Sequence, residues 1–163
     1  MSTSGTIYVH SSPSAVCPHV EWAIAGILQT RVDLQWTAQT AAPGQLRAEG
    51  DWSGQPGTAA ALVSALRAWP MLRFEVTEEP SLGLDGERFC FVPGLGLWRA
   101  RTSANGDIVV GEDQLRALAA TARGRDAFAH QLDQLLGTAW DDALEPFRRA
   151  ADGAPVTWLH RVG

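Results

Sequence analysis

Four side chains near the N-terminus have the types and spacing to do chemistry: His10, Cys17, His19 and Glu21. Residues 6–10 read as a strand that His10 closes, and Cys17, His19 and Glu21 open the helix that follows. A thiol at a helix N-terminus has its thiolate favoured by the macrodipole, and a histidine within reach can act as its base. Cys17-x-His19 with His10 also forms a partial zinc set, but no fourth ligand is spaced to complete it, so no metal is assigned. The plainer reading, which is favoured, makes Cys17 and Pro18 buried capping residues and leaves His19 and Glu21 in solvent.

Two further groups carry acids. Glu75 points away from the face of Phe74, and Asp51 and Glu78-Glu79 fall at strand ends, where paired carboxylates could split their pKa values. An ordinary solvated strand exit explains Glu78 and Glu79 more simply. Residues 138–147 form the densest unusual segment, with Trp140, Asp141, Asp142 and Glu145 as binding candidates. Asp141 and Glu145 share a helix face and could hold a metal or an arginine-rich partner. The competing reading is a capped helix whose Trp140, Leu144 and Phe147 dock in the core while Arg148 and Arg149 balance its charge. Trp22 falls off the apolar stripe of its helix and suits a half-buried core edge, a ligand pocket or a subunit interface.

The elements that must position these groups follow from hydrophobic spacing. After the first strand, Val20, Ala23, Ile24, Ile27 and Leu28 recur at helical spacing, with Pro18 in the first turn. Val32, Leu34, Trp36 and Ala38 alternate with polar residues as a half-buried strand, and Ala42-Pro43-Gly44 turns the chain into a return strand. A second helix is predicted over 59–69, stopped by Pro70, and a fourth strand over Leu72, Phe74 and Val76. The order β-α-β-β-α-β predicts an α+β fold, a ferredoxin-like split βαβ sandwich over residues 5–80. Residues 81–163 extend it within one domain of 1–163: strands over 88–92 and 95–102, an Asn105-Gly106 turn into 108–110, and C-terminal helices. Thr138 is predicted as an N-cap, Pro146 as a kink or restart, and 156–162 as a terminal strand.

Composition excludes several functions. The 13 basic residues are all arginine, which removes a P-loop lysine, a pyridoxal Schiff base and any lysine nucleophile. A net charge of −5 and scattered arginines argue against nucleic acid. No window is apolar enough to span a membrane, and the N-terminus lacks the basic start and apolar run of a signal peptide, which predicts a cytoplasmic protein with two reduced thiols, Cys17 and Cys90. No GxSxG, GxGxxG, HExxH or Walker A pattern occurs, and no cofactor is expected.

The runs YVHS, CPHVEWAIAG, LRFEVTEEP, GERF, GDIVV followed by EDQLR, and GTAWDDALEPFRRA resemble an actinobacterial family catalogued as a domain of unknown function. The resemblance spans Tyr8 to Ala150 and implies an actinobacterial cytosolic protein, with no assigned reaction, cofactor or catalytic residue. The leading expectation is a non-catalytic binding or regulatory module, acting through protein or small-ligand contacts and assembling as a homo-oligomer. The alternative is a small cytosolic enzyme working at His10, Cys17, His19 and Glu21.

Overall fold

The computed structural model of the chain describes residues 1–159. Strand β1 (Thr3–Pro13) is followed by α1 (Cys17–Leu28), a two-residue β2 (Thr37–Ala38), β3 (Gln45–Gly54), α2 (Thr58–Leu66) and β4 (Arg73–Glu78). Next come β5 (Gly86–Val92), β6 (Gly96–Thr102), β7 (Ile108–Val109), three helices α3 (Glu112–Thr121), α4 (Arg125–Leu136) and α5 (Thr138–Arg149), and β8 (Val156–Leu159). The fold is mixed α/β. One eight-stranded sheet takes strands from both halves of the described chain in the order β2-β3-β1-β4-β5-β6-β7, and β8 lies against β3. Among the described residues all pairings are antiparallel except that of β3 with β8.

Period-two alternation gives the sheet two unlike faces. Ile7 and Val9 of β1, Ala48 and Trp52 of β3, Phe74 and Val76 of β4, and Phe89 and Phe91 of β5 pack with Val20 and Ile24 of α1 and Leu62, Val63 and Leu66 of α2. Val20, Ile24, Leu62 and Leu66 are fully buried, and each such side chain contributes roughly 1.5–3 kcal/mol over its exposed state. The second face is covered by α5. Leu144 of that helix packs with Cys90, Val92 and Trp98, and Trp140 donates its indole N–H to the Gly96 carbonyl at 3.0 Å. Gly137, at φ +72, lets the α4–α5 corner lie flat on Trp98, since a Cβ there would come 2.5 Å from the indole.

Local expectations and structure part company at three places. Residues 31–36 keep the expected burial alternation, with Val32 and Leu34 buried, but form no ladder. The edge of β3 beside them is taken at Glu49–Trp52 by β8, and the Leu34 N–H donates instead to Glu21 Oε1 at 2.9 Å. Helix α5 runs through Pro146 without a restart. Its N-cap is Gly137, while the Thr138 hydroxyl donates to Asp133 Oδ1 at 3.2 Å. The terminal strand is described only as far as Leu159, and residues 160–162 of the predicted strand lie outside the described residues.

Glu78 is a capping residue at a distance. Helix α2 has no local side-chain cap, and the Glu78 carboxylate accepts the Gly57 N–H at 2.8 Å and the Ala59 N–H at 2.9 Å. This corrects the reading of Glu78 as a solvated strand exit, although Glu79 beside it is exposed. Glu78→Ala strands two N–H groups at the start of α2, and the expected loss is about 2–3 kcal/mol in urea unfolding. A change no larger than about 0.5 kcal/mol, the usual size for a surface site, would contradict this role.

Candidate functional site

On the second face, strand register places one residue from each of five strands in a row: Glu49, Tyr8, Glu75, Cys90 and Trp98. His10 and Arg47 flank that row, and α5 brings Asp141 and Arg148 down onto it. The result is a charge cluster centred on Glu75, whose side chain is 6% exposed.

Each oxygen of Glu75 has several partners. His10 Nε2 donates to Oε2 at 2.5 Å and Arg148 Nε donates to the same oxygen at 2.9 Å. Arg148 Nη2 donates to Oε1, which completes a bidentate pair. Oε1 also accepts from Arg88 Nη2 at 3.0 Å and from the Cys90 thiol at 3.3 Å. Asp141 Oδ1 bridges the two guanidiniums, at 2.8 Å from Arg88 and 3.0 Å from Arg148. The Arg88 guanidinium also sits 5.7 Å from the Trp98 ring centroid. Gln39, 1% exposed, ties the periphery together by donating to the backbone carbonyls of His10 at 2.8 Å and Phe147 at 3.4 Å.

Burial by itself would raise the Glu75 pKa, but hydrogen bonds from His10 and Arg148 outweigh it and hold the carboxyl well below the ordinary range. Burial raises the Cys90 thiol far above its ordinary value, and the adjacent Glu75 charge raises it further. Desolvation also dominates at Tyr8, whose phenol is pushed up with help from the charge of Glu49.

Beside the cluster lies a cavity of about 510 Å³, bounded by Tyr8, His10, Arg47, Glu49, Glu75 and the segment 151–154 that follows α5. Tyr8 and His10 are stacked with ring centroids 5.9 Å apart. Arg47 is 3% exposed, and its Nε and Nη1 are buried without a hydrogen-bond partner among the described residues.

Of the four N-terminal candidates only His10 reaches this cavity. Cys17, at the start of α1, donates to Ser12 Oγ at 3.6 Å and Pro13 O at 3.5 Å, and burial pushes its thiol up instead of down. A twelve-residue helix does not outweigh that desolvation at its own first residue. His19 is exposed and edge-on to Trp22, 5.1 Å between centroids. Glu21 is half-buried and accepts from the Leu34 N–H and the Trp36 indole, both at 2.9 Å, so it pins the chain after α1 and is not a solvated group. Both cysteines are unbridged and buried.

The other candidates divide similarly. Asp141 joins the Glu75 cluster. Glu145 pairs with Arg149 at 3.0 Å and Arg148 at 3.7 Å, which takes up the acidic face once offered to a metal or basic partner. Asp142 is exposed, and Trp140 is half-buried against Cys90 and Leu144. Trp22 is 68% exposed, not half-buried. Among the described residues no group of three His, Cys, Asp or Glu is arranged to hold a metal ion.

Spacing motifs missed Arg47, Glu49, Arg88 and Arg148. The signal that finds the first three is a shared phase: Tyr8 and His10, Arg47 and Glu49, Glu75 and Thr77, Arg88 and Cys90 all alternate with the core residues of their strands. Adjacent strands in one phase place such residues side by side. No helix among the described residues is long and apolar enough to cross a membrane.

The chain matches no curated protein and no solved structure. Residues 6–161 match one family, and across that span the chain belongs to it: the family described as protein of unknown function (DUF3145).

Proposed function

We propose that the chain is a non-catalytic binding module that takes a small molecule into the cavity on the polar face of its sheet. The observation that carries this reading is the convergence of buried and half-buried ionisable side chains from β1, β3, β4, β5 and α5 on one cavity of about 510 Å³. That volume is in the range of small-ligand sites. A proton-transfer catalyst needs a group whose pKa lies near the working pH. Glu75 is held ionised by His10 and Arg148 against the opposing effect of burial, and the Cys17 and Cys90 thiols are pushed up by desolvation. These groups serve as a fixed scaffold. The separate engagements of Cys17, His19 and Glu21 weaken the alternative, a small enzyme working with His10.

The order β2-β3-β1-β4, with α1 and α2 on one face, supports reading residues 5–80 as a ferredoxin-like split βαβ unit. The remaining strands and helices then extend it within one domain. An actinobacterial cytosolic setting rests on the sequence words quoted above. Trp22, exposed beside His19, which in turn lies against Trp69, supports a second surface for self-association.

Native mass spectrometry of the protein incubated with a cytosolic small-molecule extract tests the binding role. The expected result is a saturable adduct that is lost in Ala154→Trp, which places an indole on the cavity wall. Absence of any adduct, or full occupancy retained in Ala154→Trp, would count against it.

A further inference from the structure

Arg47 stands apart from the other arginines of the cavity. Arg88 and Arg148 are both paired with Glu75 and Asp141. Arg47 is more deeply buried than either, its side chain 4% exposed against 22% and 25%. Its nearest acid is Glu49, with Nη2 3.7 Å from Oε2, beyond the roughly 2.7–2.9 Å of a charge-assisted hydrogen bond. Among the described residues Nε and Nη1 have no hydrogen-bond partner.

A guanidinium keeps its charge under burial, so it cannot relieve this state by losing a proton. Leaving it desolvated and unbonded is costly, and buried charges are ordinarily paired. The acids on the same wall do not serve. Glu75 already accepts from His10, Arg88, Arg148 and Cys90. Glu49 reaches only Nη2, at 3.7 Å, and leaves Nε and Nη1 unbonded. Asp152 lines the cavity yet leaves the two nitrogens unbonded. Arg47 therefore lines the cavity with its charge poorly compensated and with two donors that are covered by surrounding atoms yet unbonded among the described residues.

We infer that Arg47 is held for a ligand bearing an oxyanion, a carboxylate or phosphate group, which draws the guanidinium toward the cavity and supplies the hydrogen bonds that Nε and Nη1 lack. Guanidinium geometry matches both groups. The inference rests on the binding role proposed above and names its ligand class. Tyr8 and Thr77, on the same wall, offer neutral polar contacts to the remainder of such a molecule.

The test uses the full chain, with sodium phosphate and sodium acetate as separate probes against sodium chloride at equal ionic strength. The Nε–Hε resonance of Arg47 is followed by NMR. A saturable shift is expected with at least one probe, while that of the exposed Arg99, paired with Glu87, stays put. A response to phosphate alone assigns a phosphoryl ligand, and a response to acetate alone assigns a carboxylate. Either supports the inference. No saturable shift with either probe overturns the inference.

Arg47→Met supplies the second arm, because its chain still covers the sheet while the charge is gone. It is expected to match or exceed the wild-type Tm and to lose the anion-dependent rise in Tm. Marked destabilisation in chloride alone would show that Arg47 serves the fold, and would overturn the inference. An extract adduct retained at normal occupancy in Arg47→Met, but lost in Ala154→Trp, would refute the oxyanion and leave the binding role standing.

Discussion

Glu75→Gln is expected to cost about 3–5 kcal/mol of folding stability, the range for removing one partner of a buried ion pair. The amide keeps the shape but not the charge. It leaves Arg88 and Arg148 without their common carboxylate and turns an amide N–H toward donors. His10, 3% exposed, also loses its charged acceptor. The two guanidiniums are about a quarter exposed and water relieves them in part, which favours the lower end of the range. Urea unfolding monitored by tryptophan fluorescence measures the loss.

The same variant has a signature in pH. Burial raises the Glu75 pKa, the His10 and Arg148 bonds lower it by more, and the net folded value lies below the ordinary 4.5. A carboxyl with a depressed folded pKa contributes stability that is complete above its unfolded value and is lost as pH falls toward the folded one. The gap between wild type and Glu75→Gln should therefore be constant near neutrality and narrow as pH drops below about 4.5. A gap below about 1 kcal/mol at neutral pH, or one that does not narrow in acid, would mean that the cluster is re-solvated and not held by Glu75.

Gly5→Ala is the second large effect, about 3 kcal/mol or more, at or beyond the upper end of the usual cost of overpacking. Gly5 lies in β1 opposite Trp52. A Cβ there would come 1.8 Å from the Thr77 carbonyl oxygen and 2.7 Å from the Trp52 ring. The first obstacle is backbone, so relief requires parting β1 from β4, the two strands that carry His10 and Glu75. Gly26→Ala is the matched control. Gly26 lies within α1 with nothing near its missing Cβ, and alanine there should stabilise by about 0.5–1 kcal/mol through helix propensity. Thermal unfolding of both variants decides the matter. An unchanged Tm for Gly5→Ala would contradict the close approach.

Most elements were legible in the sequence because each is announced by local chemistry. The apolar phase of Ile7 and Val9, Phe74 and Val76, Phe89 and Phe91 marks strands, and Val20 with Ile24 marks α1. The turn at Asn105-Gly106 follows from a glycine that adopts φ +83. Two of the failures share one cause. Residues 31–36 have the pattern of a strand, but β8, more than a hundred residues away in sequence, holds the edge they would need. Glu78 reads as a strand exit because its partners, the N–H groups of Gly57 and Ala59, are twenty residues earlier.

The site divides along the same line. The sequence by itself determined which side chains leave the apolar face of each strand, since a period of two sends alternate residues to opposite sides. It also determined the charge types available, with arginine as the sole strong cation. Which of these residues meet was decided by register and by the docking of α5. Those set Glu49, Tyr8, Glu75 and Cys90 in one row and lowered Arg148 and Asp141 onto it. The state of Arg47 was decided there as well. Any arginine can find water or an acid in an open strand. Only the covered sheet leaves this one buried beside a cavity with two nitrogens unbonded.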